Sequence, residues 1–413
     1  MAPTVVREPR GTDRLYPRAP PWGPRRGQSW VENACVTLYG VVNQAAINHL
    51  LWGNLMRKSQ LAVLAAASAL LLAACGGSDS DTADTTAASE GGCVVGVSWN
   101  NYQEERWAKW DEPAIKAAIE AAGGTYISND AKSSAETQAS NLENLISQGA
   151  KALIVLAQDG TAILPAVSSA IDSGVPVVAY DRLIEEPRAF YLTFDNQGVG
   201  RIEAEGIFAL VPKGKYVIIK GNQADANSDF LRAGYEEVIG AAVAAGDITI
   251  VSETYTDNWD PAIAQATMEQ VLTAEGNKID AVLAENDGMA GGAIAALEAQ
   301  GLAGKVPVSG QDAEQAALNR VALGTQTLTV WKDARELGKA AGEAAMALCA
   351  NPDAAAIPGA APFTTPGGVS ISSTFLTPKP ITQANLNDVL DAGWTDSATL
   401  CQGVTPGSVP ACP

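Results

Sequence analysis

KALIVLAQDGTAILPAVSSAIDSGVPVVAYDR (151–182) and AVLAENDGMAGGAIAALEAQGLAGKVPVSGQD (281–312) follow one plan. In the first, the apolar run Ala152–Ala157 ends in Gln158-Asp159. A helical stretch follows, and Gly174-Val175-Pro176 leads into a second apolar run that ends in Asp181-Arg182. In the second, Ala281–Ala284 ends in Glu285-Asn286-Asp287, and after another helical stretch Lys305–Val308 runs into Gln311-Asp312. Each copy reads strand, polar tip, helix, strand, polar tip. Ligands of open parallel sheets bind beyond the carboxyl ends of the strands. Two such units with Asp, Asn and Arg at those ends point to two lobes that share one polar ligand.

The alternation extends in both directions. Val94–Ser98 and Thr125–Ser128 read as strands, with helices over Glu112–Ala122 and Thr137–Gln148. A second series starts at Tyr216–Lys220 and continues through Ile248–Glu253, Ala281–Ala284 and Val306–Gly310. Strands separated by helices imply parallel sheets with right-handed crossovers. The restart implies an α/β fold of two doubly wound parallel-sheet lobes; a single barrel would need no restart and would leave no cleft.

The bulk numbers narrow the function. The chain has 413 residues, 47% hydrophobic and 18% charged, with a formal net charge of −19. That charge argues against nucleic acid, which needs clustered Lys and Arg. Met56-Arg57-Lys58, the apolar run Leu61–Leu72 and Leu72-Ala73-Ala74-Cys75 read as an export signal with a lipoprotein box. Cys75 would be lipidated and become the mature amino terminus, a surface anchor without a spanning helix. Residues 1–55, upstream of that signal, are read as a spurious extension. Residues 76–92 are small, polar and acidic, a flexible tether reaching on the order of 20–25 Å. Beyond Cys75 the chain keeps 19 basic and 43 acidic residues, a net −24, and no histidine, since the single one is His49. Lacking the commonest general base and metal ligand, it reads poorly as an enzyme and needs no cofactor or metal. Cys93, Cys349, Cys401 and Cys412 remain, an even number in an oxidising compartment. Two disulfides are expected in one of three connectivities, tying down the tail Gln402–Pro413.

Candidate ligand groups follow the strands. WNNYQEERWAKW (99–110) gathers three Trp, one Tyr, two Asn, Arg106 and Lys109. Aromatic rings accept the C–H faces of a sugar, and planar Asp, Asn and Arg groups pair with neighbouring hydroxyls. Asp181-Arg182 caps one strand. Asp225, Asn227 and Asp229 lie in GNQADANSDF (221–230), whose DxNxD run lacks the glycine and distal glutamate of a calcium loop. Trp259 in TDNWD offers a second stacking wall. GMAGG (288–292) has no phosphate-loop lysine and reads as close helix packing. Lys332 follows the β-rich run Thr325–Trp331 as a cleft donor.

These residues carry a resemblance. ERWAK, VVAYDR, FDNQGVG, FLRAGYEEV, KIDAVLAENDGMAGGAIAALEAQGLAGKVPVSGQDA and GTQTLTVWKD, in order from about Val94 to Lys332, look like the ribose/galactose-type periplasmic binding proteins of bacterial sugar ABC importers, in their D-xylose-binding branch. The resemblance implies two lobes joined by a three-segment hinge. One comprises residues 93–196 plus 333–362, the other residues 197–332 plus 363–413. It assigns sugar contacts to Arg106, Lys109, Asp181, Arg182, Asp225, Asn227, Asn286, Asp312 and Lys332, with Trp107 and Trp259 as stacking walls. It implies a receptor that delivers a monosaccharide, D-xylose first, to an importer permease; the lipoprotein box, which departs from the soluble family pattern, adds a lipid anchor outside the cytoplasmic membrane, and a monomer is expected. Two departures stand out: Asn100-Asn101 replaces acidic residues, and Gln158-Asp159 has no counterpart and falls to the cleft rim. The alternatives are a sensor presenting sugar state to a receptor kinase, and an exported sugar-acting enzyme pairing Asp181 with Asp312.

Overall fold

The computed structural model describes residues 92–413. The readings on 1–55, on the export signal with Cys75 and on nearly all of the tether lie outside the described residues.

The first lobe is built on β1 (Val94–Trp99), β2 (Thr125–Asp130), β3 (Ala152–Val155), β4 (Val177–Tyr180) and β5 (Phe190–Phe194). With β10 (Ala361–Thr364) and β11 (Ser370–Leu376) they form one sheet in the order β10-β11-β5-β4-β3-β1-β2. Every pairing is parallel except β10 with β11. Both faces are covered: α1 (Glu112–Ala121) and α9 (Ala334–Ala350) on one side, α2 (Ala135–Ser147) and α3 (Leu164–Asp172) on the other. The all-apolar β3 and β4 are buried at every position, as strands sandwiched between helices must be.

The second lobe has β6 (Gly214–Lys220), β7 (Ile248–Tyr255) and β8 (Ala281–Ala284), parallel in the order β7-β6-β8. Its helices are α4 (Asn196–Phe208), α5 (Ala226–Ala244), α6 (Pro261–Glu275), α7 (Asp287–Ala299) and α8 (Gln315–Leu323). The GMAGG glycines do serve helix packing: a Cβ on Gly292 would lie 2.1 Å from the Pro261 carbonyl oxygen. Val306–Gly310, expected as a strand, makes only isolated bridges, Val308 to Val282 and Val306 to Ala303. Pro307 in its middle has no N–H to give a ladder. β9 (Thr329–Trp331) pairs antiparallel with β12 (Lys379–Ile381).

The chain crosses between lobes at β5 to α4, β9 to α9 and β11 to β12. Two crossings are stapled together by Asp195 N–H to the Leu376 carbonyl, 2.9 Å. Asp195 and Asp333 cap the helices that follow the first two. The third crossing corrects the expected boundary. Residues 363–376 belong to the first lobe, because β11 pairs parallel with β5 from Ser372–Phe190 to Leu376–Phe194. Only the chain from about β12 onward returns to the second lobe.

The cysteines pair as Cys93–Cys349 and Cys401–Cys412. The second ties down the tail; the first joins the start of β1 to α9 across a sequence separation of 256. A cross-link over so long a loop removes much of the unfolded chain's freedom, typically about 2–4 kcal/mol. Replacing both Cys93 and Cys349 by Ser is therefore expected to lower unfolding stability by about that amount in guanidinium titrations. Replacing Cys401 and Cys412, separated by only 11, should cost less. Equal losses from the two pairs would contradict the loop-length argument.

Candidate functional site

The site assembles where strand ends of both lobes face each other. After β1 the chain enters a wide π turn, Trp107–Asp111, leading directly into α1. This turn buries Trp107 and Asp111 and leaves Lys109 outside. π turns of this kind recur at functional sites because they re-aim side chains. Arg106, just before it, is 3% exposed. Its Nε and Nη2 donate to the Asp111 carboxylate at 3.1 and 2.8 Å. Its Nη1 reaches Asp181 at 3.1 Å and, across the cleft, Asp312 at 3.3 Å. Tyr180, the last residue of β4, donates its hydroxyl to Asp111.

A second ionic group lies beside the first. Arg182 donates to the Ala157 carbonyl at 3.2 Å, meets Glu104 at 3.2 Å and pairs with Asp225 of the other lobe at 2.9 Å. Glu104 also accepts from Trp107 Nε1 at 2.7 Å. Lys332 closes the set with a 2.9 Å contact to Asp312. Asp225 and Asn286 double as helix caps, for α5 and α7, so their positions are fixed by backbone N–H groups. Asn227 Nδ2 reaches back to the Asp181 carbonyl at 3.2 Å. Asp229 turns away to Lys220 and Tyr255, so the DxNxD run does not converge on a cation.

Ten of the eleven expected contacts line one cavity: Arg106, Trp107, Asp181, Arg182, Asp225, Asn227, Trp259, Asn286, Asp312 and Lys332. Lys109 is the exception. It sits two residues from Trp107 on the opposite side of the turn, half exposed, and pairs with Glu105 at 2.6 Å. Glu104 and Gln311 complete the lining and were missed. Both lie within quoted motifs, where aromatic and basic residues drew attention away from them. Asp111 was missed because nothing in its immediate sequence shows that it is buried under Arg106. Gln158, placed at the rim, spans the lobes there with a 2.8 Å bond to Asn258.

The backbone itself is strained at the site. Asp181, Trp259 and Asp312 have φ of 61°, 57° and 95°. Left-handed backbone at non-glycine residues costs of order 1–3 kcal/mol each and persists where surrounding contacts over-determine it. Trp259 folds back over the end of β6, and an added Cβ on Gly221 would lie 2.2 Å from its ring. Trp259 Nε1 and Gln311 Oε1 are buried without a partner among the described residues, so both retain hydrogen-bonding capacity toward a polar ligand. The free space is about 20 Å³, with Arg106 reaching across it to Asp312.

Electrostatics separate the carboxylates. Burial alone would raise Asp181, but Arg106, Lys332 and Arg182 outweigh it and hold the carboxyl below its ordinary value. Burial pushes Asp111 up to about 6, against the pull of Arg106 and Tyr180. An Asp181 kept ionised suits an acceptor of hydroxyl hydrogen bonds and spoils a general acid.

Two lobes closing over a charged, aromatic-walled cleft define a protein that encloses a small polar solute. The sequence matches the periplasmic binding protein domain over residues 95–353. It is 38% identical over 297 residues to the D-xylose-binding periplasmic protein of Escherichia coli, covering 72% of this chain and 88% of that one. The Haemophilus influenzae D-xylose-binding periplasmic protein is 37% identical over 271 residues, covering 65% and 81%. Among solved structures, an ABC transporter solute binding protein from Clostridium phytofermentans with bound β-D-glucose superposes with a TM-score of 0.67. It is 27% identical, covering 74% of this chain and 99% of that one. The chain belongs to the sugar-binding periplasmic binding protein family, whose members are solute-binding proteins and not enzymes.

Two outcomes test this geometry. Gly221→Ala should drive Trp259 off the cleft, change the near-ultraviolet circular dichroism and weaken ligand binding about tenfold or more. Native Trp signals with undiminished binding would refute the role of that wall. Asp111 protonates as pH falls through its raised value, and Arg106 then loses the anion on Nε and Nη2. Affinity should hold steady between about pH 7 and 8 and decline below about 6. Asp111→Asn should bind weakly throughout, without that inflection; an inflection that survives the substitution assigns it to another group.

Proposed function

We propose that this protein captures a single monosaccharide, D-xylose, between its lobes and delivers it to the permease of an ABC importer. The observation that carries the reading is the meeting of Arg106, Asp181 and Asp312 at one point, with carboxylates from both lobes on one guanidinium. Such planar groups pair with adjacent sugar hydroxyls in bidentate fashion. Trp107 and Trp259 give the ring its apolar walls. The small cleft favours one ring over an oligosaccharide. The two D-xylose-binding relatives support the choice of pentose.

Closure supplies the signal. Sugar that contacts both lobes binds the closed state better than the open one, so it shifts the hinge equilibrium toward closure. A permease that recognises the closed surface then responds to the loaded receptor. Family membership carries export with it. The lipoprotein box at Leu72–Cys75 supports a receptor tethered at the outer face of the cytoplasmic membrane. A tethered monomer would work close to its permease, and among the described residues no helix is long and apolar enough to cross a membrane.

A thermal-shift panel of xylose, ribose, arabinose, glucose and galactose discriminates the ligand, since a sugar bound only by the folded state raises the midpoint. Xylose is expected to give the largest shift. Asp181→Ala should abolish xylose binding in calorimetry while far-ultraviolet circular dichroism stays native. Unchanged affinity would remove Asp181 from the site, and a panel with no shift at all would remove the sugar.

A further inference from the structure

The tail beyond β12 contributes nothing to the cleft lining, yet it is ordered by specific contacts. It forms two short helices, α10 (Asn387–Asp391) and α11 (Ser397–Leu400), and packs Leu386, Val389 and Trp394 with the apolar side of α8. Trp394 is 2% exposed. Its Nε1 donates to the Ala313 carbonyl at 2.7 Å. Its ring stacks on Trp110 of the first lobe, with 4.5 Å between centroids and 19° between planes. Trp331 meets it edge-on at 5.7 Å.

Each of these three neighbours is adjacent in sequence to a group that builds the site. Ala313 follows Asp312, Trp331 precedes Lys332, and Trp110 precedes Asp111, which holds Arg106. The Ala313 contact is the most telling. Asp312 and Ala313 are both left-handed, with φ of 95° and 53°. Such a turn holds its shape only when its peptide groups are pinned. Asp312 N–H bonds the Val330 carbonyl at 2.8 Å, Ala313 N–H bonds Thr329 Oγ1 at 3.0 Å, and Glu314 N–H bonds Asp287 at 3.0 Å. The Ala313 carbonyl is pinned by Trp394. The tail also grips the chain two residues on: Gln315 Nε2 donates to the Trp394 carbonyl at 3.0 Å. The backbone N–H of Gln315 bonds Glu105 of the other lobe at 3.2 Å.

We infer that Trp394 is a positioning residue for the cleft: it fixes the Asp312–Ala313 turn from behind and, through its stack on Trp110, sets the disposition of lobes in which Arg106 and Asp312 meet. The inference rests on the cleft being the ligand site, but its first half concerns the turn alone. The two indole contacts act on different things. The Nε1 bond acts within the second lobe on the shape of the turn. The stack acts between the lobes on closure.

Hydrogen exchange with no sugar added, followed by D-xylose titration, separates these contributions in Trp394→Ala, Trp394→Phe and Trp110→Ala. In Trp394→Ala, exchange at the Asp312 and Ala313 amides should quicken about tenfold or more. The xylose Kd should rise about 10- to 100-fold. Trp394→Phe keeps a stacking ring but loses the donor, so exchange at 312–313 should quicken as in Trp394→Ala while the rise in Kd is smaller. Trp110→Ala should leave exchange at 312–313 at the wild-type rate yet weaken xylose about 3- to 10-fold through faster dissociation. If Trp394→Ala unfolds, the Phe variant decides: faster exchange confined to 311–314 supports positioning, and a uniform rise across both lobes overturns it. Wild-type exchange at 312–313 in both Trp394 variants also overturns it. If the unaltered protein binds no sugar while exchange responds as expected, the ligand assignment fails and the positioning role stands.

Discussion

A guanidinium with almost no access to water governs this molecule. Arg106 cannot shed its proton, so its burial demands anions, and it takes them from three places: Asp111 beneath it, Asp181 beside it and Asp312 across the cleft. Removing one member of a buried ionic group typically costs about 3–5 kcal/mol, because the remaining charges stay buried and unpaired. That constraint ties together parts of the chain more than 200 residues apart. It also explains why the lobes meet where they do. Asp111 pairs with Arg106 from outside the cleft lining, so it compensates the guanidinium from beneath.

The supporting parts answer to the same requirement. The π turn delivers Arg106, Trp107 and Asp111 inward within six residues. Asp181, Trp259 and Asp312 take left-handed backbone at the cleft, where Asp181 and Asp312 meet Arg106 and Trp259 folds back over Gly221. Asp195 and Asp333 cap helices at two crossings and fix the helix starts there. The tail with its Cys401–Cys412 link backs the Asp312 turn and presents Trp394 to the first lobe. Binding geometry in this protein is therefore held from outside the cleft as much as from within it.

Much of this was legible in the residues. The apolar runs at 152–157 and 281–284 are too short and too uniform for anything but strands covered on both faces, and they are that. Their polar tips could be named because parallel strands expose their carboxyl ends together. Lys109 was misplaced because spacing within ERWAK assumes no particular helical phase, and the π turn sends that side chain outward. The boundary at 362 was misplaced for a different reason. SISSTFL alternates weakly, and only its pairing with β5 makes it a strand of the first lobe. Glu104 and Gln311 carry no local mark of function, since their role comes from facing charges supplied by other segments.

What the sequence determined by itself was the periodic and the local: alternating strands and helices, the repeat that doubles them, the even set of exported cysteines and the aromatic loop. Those features depend on neighbours along the chain, so a linear reading reaches them. The tertiary structure alone decided which cysteines pair, that β11 returns to the first sheet, that Asp111 lies under Arg106 and that Trp394 stands behind Asp312. Each depends on groups distant in sequence competing for one buried space. Close packing and charge compensation are properties of the assembled three-dimensional neighbourhood, and no segment carries them on its own.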